Sequence, residues 1–447
     1  MICRTVGYRA PSPPTAAGEA PWLITAQPPP CRAGHQQGVF FVSRYRHAVQ
    51  SVHTPSPSRH RRAARTAAAL AVLGSLIVGC ESSASASGDQ ASQRHDVVQR
   101  RMDRLVRDDA FPAALAAVRG RDGSTHDYTA GVADREDKTK VPADGQVRIG
   151  STTKSFTAVV VLQLVGEGRV SLDAPIETYL PQLVRGDGID GRHITVRQLL
   201  QHTSGLPDYV AAMGGDFFKG RHTYTEPRDL LDLALAEKAK FAPGSKFEYS
   251  NTNYLLAGLL IQKVTGRPVA EEITRRVIKP TGLRHTYFPG IGDQDIRRPH
   301  PRGYHVPKPG DPMRDITEMD PSWAWAAGQM VATPSDLNRF YSALLGGKLL
   351  KPAQLKQMRT TVPASDLWPG ARYGLGLIST PLSCGGLVWG HGGDIPGYET
   401  RGGATEDGRA VSVTVTALPN ALPTDQAGQQ TAADHVIDFV DTALCGK

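Results

Sequence analysis

The chain has 447 residues and a formal net charge of +8, from 51 Lys and Arg against 43 Asp and Glu. All of the excess lies in residues 1–80, which hold nine arginines, no lysine and one acid, Glu19. A remainder with balanced charge excludes nucleic acid as the partner of the folded portion, because binding a phosphate backbone needs a net basic face.

Residues 1–51 are rich in Pro, Arg and His without periodicity and read as an upstream extension outside the fold, with a true start expected near Val52. Residues 52–80 read as a signal peptide. Arg59-His60-Arg61-Arg62-Ala63-Ala64-Arg65 is a positive n-region, and residues 67–78 are apolar but short for a membrane span. The closing Ile77-Val78-Gly79-Cys80 resembles a bacterial lipobox, which makes Cys80 a lipidation candidate and a membrane anchor the expected tether. Small residues there also suit ordinary signal peptidase and plain secretion. Residues 81–94, dominated by Ser, Ala, Gly and Gln, are expected to be a flexible linker. With Cys3 and Cys31 in the leader, Cys384 and Cys445 remain, either as one disulfide in an oxidising compartment or as two buried thiols.

The folded domain is expected over residues 95–447. Val97, Val98, Met102, Leu105 and Val106 recur at helical spacing over 95–107. Residues 113–118 and 125–132 around Arg121-Asp122-Gly123 predict a β-hairpin. Ile149-Gly150-Ser151-Thr152-Thr153-Lys154 opens a helix, with Ser151 at or beside the N-cap. The following Phe156-Thr157-Ala158-Val159-Val160-Val161-Leu162 is apolar nearly all round, the mark of a buried helix. It should stop at Gly166-Glu167-Gly168. Helices are expected over 195–205 behind a Thr195 cap, over 225–236, over 255–261, and from Thr333-Pro334 with proline at the first position. Residues 289–321, rich in Gly and Pro, read as a long surface excursion. Short strands are expected at 373–378, 387–390, 397–404 and 411–417. A hairpin early, helices in the middle and strands at the end imply an α+β fold, with one antiparallel sheet built from both chain ends beside an all-helical lobe.

Three stretches carry chemistry. Residues three apart on a helix share a face, so the Lys154 amine can reach the Ser151 hydroxyl. A serine needs such a neighbouring base to become a nucleophile, and free N–H groups at a helix N-terminus favour an oxyanion. A lysine in the first turn of a buried helix is desolvated, which lowers its pKa toward that of a usable base. Tyr249-Ser250-Asn251 precedes a buried helix; its tyrosine can relay a proton if a lysine cation lowers its pKa, and its asparagine can hold a carbonyl. Trp389-Gly390-His391-Gly392-Gly393-Asp394 is glycine-dense between strands, permitting close approach of a ligand, with His391 a cationic or hydrogen-bonding partner. No metal-ligand spacing or phosphate-cradling glycine pattern occurs in the sequence, so neither metal nor cofactor is expected.

Together, Ser151-x-x-Lys154, Tyr249-x-Asn251 and His391-x-Gly393 resemble the penicillin-binding protein and serine β-lactamase superfamily. The nearest branch is that of secreted Streptomyces D-alanyl-D-alanine carboxypeptidases, with class C β-lactamases and related esterases as cousins. The likeness extends to His202-x-Ser204-Gly205-Leu206, Ser322-Trp323-Ala324, Tyr373-Gly374-Leu375-Gly376-Leu377 and the terminal Cys445-Gly446-Lys447. It implies a three-layer α/β/α core and a Ser151 acyl-enzyme, with Lys154 and Tyr249 sharing the proton work. Asn251 would position the substrate amide, and His391 would keep the Tyr249 region electropositive. The backbone N–H groups of Ser151 and Asp394 would hold the oxyanion, and Trp323 would wall the cleft. That branch also bridges the two cysteines, implying Cys384–Cys445 here.

One departure bears on substrate. Where the branch clamps a terminal carboxylate with an arginine and two threonines, this chain has Ile378, Gly392 and Asp394, beside Gly393. Arg401 on the next strand is either a replacement partner or a surface residue. The resemblance therefore implies an exported, monomeric serine hydrolase of D-alanyl-D-alanine carboxypeptidase-like, penicillin-reactive type. It would act on a peptidoglycan stem peptide or a β-lactam. The departure favours a neutral ester or amide, or an amine, as in esterase and D-aminopeptidase cousins. A tethered binder that acylates without turnover is the reading from another class.

Overall fold

The computed structural model describes residues 82–214 and 216–446. Residues 1–81, where the upstream extension, the signal peptide and the lipidation candidate Cys80 are expected, lie outside the described residues. Among these residues the principal sheet has nine strands. β1 (Ala113–Arg119) and β2 (Thr125–Gly131) form the expected hairpin. The C-terminal strands are β3 (Val362–Pro363), β4 (Arg372–Tyr373), β5 (Ile378–Pro381), β6 (Leu387–Gly390), β7 (Gly393–Ile395), β8 (Tyr398–Ala404) and β9 (Ala410–Val415). Their order is β2-β1-β9-β8-β6-β5-β4-β3, with β7 also on β8, and every pairing is antiparallel. Both chain ends thus build one sheet, as expected.

Period-2 alternation gives the sheet two buried faces. Ala114, Ala116 and Val118 of β1, with Val411, Val413 and Val415 of β9, pack on helices α1 (Ser82–Arg107) and α5 (Gln426–Cys445). Ala113 and Leu115 face the opposite core, which is continuous with the helical lobe. On that side α4 (Pro334–Leu345) lies against the sheet, its Asn338 amide donating to the Ala117 carbonyl at 2.8 Å and accepting from the Ser412 hydroxyl at 2.9 Å. The result is three layers.

Helix α2 (Thr153–Gly166) runs through the centre of the helical lobe, with Phe156 and residues 158–162 wholly buried. Its three consecutive valines cost about 0.5 kcal/mol each in helix propensity. Full burial of each contributes about 1.5–3 kcal/mol, so packing decides the conformation.

Three sequence expectations are corrected. Residues 82–94 continue α1 and do not form a linker, a stretch with several alanines and no proline to stop a helix. Residues 373–378 do not form one strand but the tight turn between β4 and β5. Gly376 takes φ +75° there and a Cβ on it would come within 2.5 Å of the Ala158 Cβ, so only glycine lets the turn press on α2. Finally, residues 289–321 are no mere surface excursion. Ile296, Tyr304, Ile316 and Met319 are buried, and the buried Arg148 guanidinium donates to the carbonyls of Thr317 and Met319.

Candidate active site

Ser151 sits in a single 3-10 turn, Gly150–Thr152, that leads into α2, and no side chain caps the helix. The serine is therefore just ahead of the N-cap, its hydroxyl not used for capping. Gly150 has φ +46°, and a Cβ there would lie 2.8–2.9 Å from Asp394 backbone atoms. A Cβ on Gly393 would fall 1.9 Å from the Ile149 carbonyl oxygen. These two glycines let β7 lie directly on the serine turn, and the Thr152 hydroxyl donates to the His391 carbonyl at 3.3 Å. The Asp394 backbone is thereby set beside Ser151, the juxtaposition a two-donor oxyanion site requires.

Lys154 is fully buried. Its Nζ lies 3.0 Å from Ser151 Oγ, 2.7 Å from Asn251 Oδ1 and 2.7 Å from the Ala327 carbonyl oxygen. Burial lowers its pKa to about 7, against the opposing pull of Asp208 and Asp394. Two of the three partners are pure acceptors. A neutral amine donates its two hydrogens to them and turns its lone pair to the Ser151 hydroxyl, the arrangement of a general base.

Tyr249 stands beside the Ser151 side chain, and Lys154 Nζ is 5.0 Å from its ring centroid. The neighbouring lysine does not lower the phenol pKa, because burial raises it well above the ordinary value. Tyr249 is thus a neutral phenol able to pass a proton, not a phenolate base. Asn251 Oδ1 accepts from Lys154 while its Nδ2 donates to Asp208 at 2.9 Å, so the amide orients the lysine. Asp208, not singled out from the sequence, caps the helix Tyr209–Ala212 and also receives the Asn251 backbone N–H. Burial raises its pKa.

His391 is brought beside Tyr249, with ring centroids 6.3 Å apart. It is not cationic. Burial, and secondarily the Lys154 charge, depress its pKa to about 3. Its Nδ1 donates to the Gly392 carbonyl at 2.5 Å, and its Nε2 accepts from the Tyr373 hydroxyl at 2.8 Å.

The remaining predicted positions frame the cleft. Ile378 is buried in a small cluster with Tyr373 that Tyr249 packs against. Arg401 is not a surface residue. Its side chain is 13% exposed; it donates to Asp394 Oδ1 at 2.5 Å and pairs with Glu399 at 2.8 Å. A Cβ on Gly392 would meet the Arg401 guanidinium at 3.1 Å, so the glycine makes room for that crossing. Glu399 is completely buried, which pushes its pKa up against the effect of Arg401. The Asp394 carboxylate is the exposed end of this trio at 56%. Trp323 packs on the core beside the Asp208 side, its carbonyl accepting from the Tyr209 hydroxyl at 2.8 Å. Cys384 and Cys445 form a disulfide that ties the end of α5 to the β5–β6 connection.

A serine and a near-neutral lysine one turn apart, a phenol beside the serine and a glycine-paved strand alongside define a penicillin-binding-protein-type serine hydrolase. A family model described as Beta-lactamase matches residues 98–436, and the chain belongs to that family. Among solved structures it is similar to a D-stereospecific amidohydrolase from Streptomyces sp., at 38% identity and TM-score 0.71, covering 79% of this chain and 99% of that one. It is also similar to the D-amino acid amidase of Ochrobactrum anthropi SV3, at 29% identity and TM-score 0.67, covering 78% of this chain and 99% of the amidase. PbpX of Bacillus subtilis, which carries the name of a penicillin-binding protein, is 26% identical over 61% of this chain. The match spans 62% of the length of PbpX, and only 31% of that of the Staphylococcus aureus protein flp, which is 32% identical where it aligns.

Proposed function

We propose that this protein is an exported serine amidohydrolase that forms a Ser151 acyl-enzyme and cleaves amide bonds of D-configured residues whose leaving group carries no carboxylate. The observation that carries this reading is the Asp394–Arg401–Glu399 trio. The cation available on that side of the cleft is already engaged by two acids, and the exposed member is an anion. A terminal carboxylate arriving beside Asp394 meets an acid rather than a free cation, and the charge of Arg401 is already matched by that acid, so the attraction an arginine clamp would supply is missing. An amide or amine needs no such attraction. The likeness to a D-stereospecific amidohydrolase and a D-amino acid amidase supports the stereochemical part. The disulfide suits an oxidising compartment.

Purified protein, with Ser151→Ala as control, is assayed on D- and L-phenylalanine amide, a p-nitrophenyl ester and an N-acylated D-Ala-D-Ala peptide, beside fluorescent penicillin. Cleavage of the D-amide and the ester, with the D-Ala-D-Ala peptide at least tenfold poorer, is expected. Penicillin should label Ser151 slowly, since a β-lactam brings a carboxylate of its own. Efficient release of D-alanine would restore the carboxypeptidase reading. Stable penicillin labelling with no substrate turned over would make the protein a binder.

A further inference from the structure

We propose that His202 and Tyr373 are positioning residues for Tyr249 and His391, joined in a one-directional hydrogen-bond chain from the Tyr249 loop to the strand end that bears His391. The inference rests on the acyl-transfer reading of Ser151 but not on which substrate is cleaved.

The direction of the chain follows from its two ends. His202 Nδ1 receives the Ser250 backbone N–H at 3.2 Å and the Asn253 amide at 3.0 Å. The orientation of Asn253 is itself fixed, because its Oδ1 accepts from the Ser204 hydroxyl at 2.5 Å. With donors on Nδ1, the ring hydrogen of neutral His202 resides on Nε2, 3.1 Å from the Tyr373 oxygen. At the far end, the Gly392 carbonyl can only accept, so His391 carries its hydrogen on Nδ1 and offers a bare Nε2. The Tyr373 hydroxyl therefore receives from His202 and donates to His391. Neither imidazole can change tautomer without setting a donor against a donor or a carbonyl against a lone pair.

Three further observations point to position rather than packing alone. The His202 ring lies on Tyr249 at 4.2 Å between centroids and 29° between planes, while Lys154 approaches the same phenol. His202 also holds φ +58°, a backbone conformation that is unfavourable for a non-glycine residue and persists where the surroundings impose it. The Glu248 N–H binds the His202 carbonyl at 3.0 Å, so the residue grips the chain on both sides of Tyr249, by its backbone before it and by its ring after it. Burial keeps both imidazoles neutral, which spares Lys154 a second nearby cation.

The test uses the full-length protein and the p-nitrophenyl ester. Tyr373→Phe keeps the ring and removes both links; kcat should fall 10- to 100-fold with KM within threefold of the unaltered protein. His202→Leu should match it, whereas His202→Gln, which retains an N–H donor, should recover most of the loss. The Tyr373→Phe/His202→Leu double variant should be no slower than either single change, because both interrupt one chain. If His202→Leu does not fold, Tyr373→Phe and His202→Gln carry the test. A folded Tyr373→Phe protein with unaltered kcat, or losses that multiply in the double variant, would overturn the inference while leaving the acyl-transfer reading intact. No turnover by the unaltered protein, on ester or amide, would overturn both.

Discussion

At the scale of single residues, the protonation of Lys154 governs the chemistry. Its amine is held at about pKa 7 by burial, so kcat/KM should rise with pH through an apparent pKa near 7 in a pH–rate profile of the free enzyme. Lys154→Arg, which cannot lose its proton, should lower kcat/KM at least 1000-fold. His391→Asn should slow the enzyme yet leave the rising limb near 7, since that imidazole is already neutral well below it. Asp208 works against deprotonation of the lysine, and Asp208→Asn should move the limb to lower pH, readable in the same assay. The stability consequence has a definite sign. Between the folded pKa near 7 and the ordinary lysine value, the unfolded chain binds a proton that the folded chain does not, so stability contributed by this group rises with pH across that window. Urea unfolding at pH 7 and pH 9 should show the rise, and Lys154→Met should flatten it.

At the scale of elements, glycines set the approach of one backbone to another. Gly150→Ala would drive a methyl into the Asp394 backbone. The serine turn and β7 would have to separate, and losing one oxyanion donor costs about 100- to 1000-fold in kcat. Ester turnover should fall by that much while circular dichroism stays native. Gly376→Ala tests packing instead. Its Cβ would crowd Ala158 and the Lys154 carbonyl at a φ unsuited to alanine. A loss of about 2–4 kcal/mol in denaturant unfolding is expected, with activity falling as α2 shifts.

Across the whole molecule, the sheet joins residues from both ends of the domain, so most of the fold rests on contacts distant in sequence. Cys384–Cys445 closes a loop of 61 residues between the β5–β6 connection and the end of α5. The chain-entropy relation assigns such a loop roughly 4 kcal/mol. Cys445→Ser should lower Tm by several degrees, measured by calorimetry with and without reductant, while kcat on the ester changes less than threefold. A large activity loss at unchanged Tm would contradict this separation between staple and site.

What was legible in the sequence was local. The reach from Lys154 to Ser151 is one helical turn, the hairpin at Asp122-Gly123 is a turn of fixed chemistry, and an all-apolar run after Phe156 must be buried. Motif order brought in Tyr249, Asn251 and His391, and Cys384 with Cys445 was a pair by elimination of the leader. The electrostatics were not legible. A raised Tyr249, a neutral His391 and an Arg401 engaged by Asp394 and the buried Glu399 all depend on how much water and which charges surround a group. Asp208, His202 and Tyr373 were missed as functional positions for the same reason, since their partners lie from 18 to 171 residues away. Sequence by itself determines which chemical groups are present and what their near neighbours along the chain can do. Tertiary structure decides burial and long-range pairing, and those set the charge on every group in this cleft.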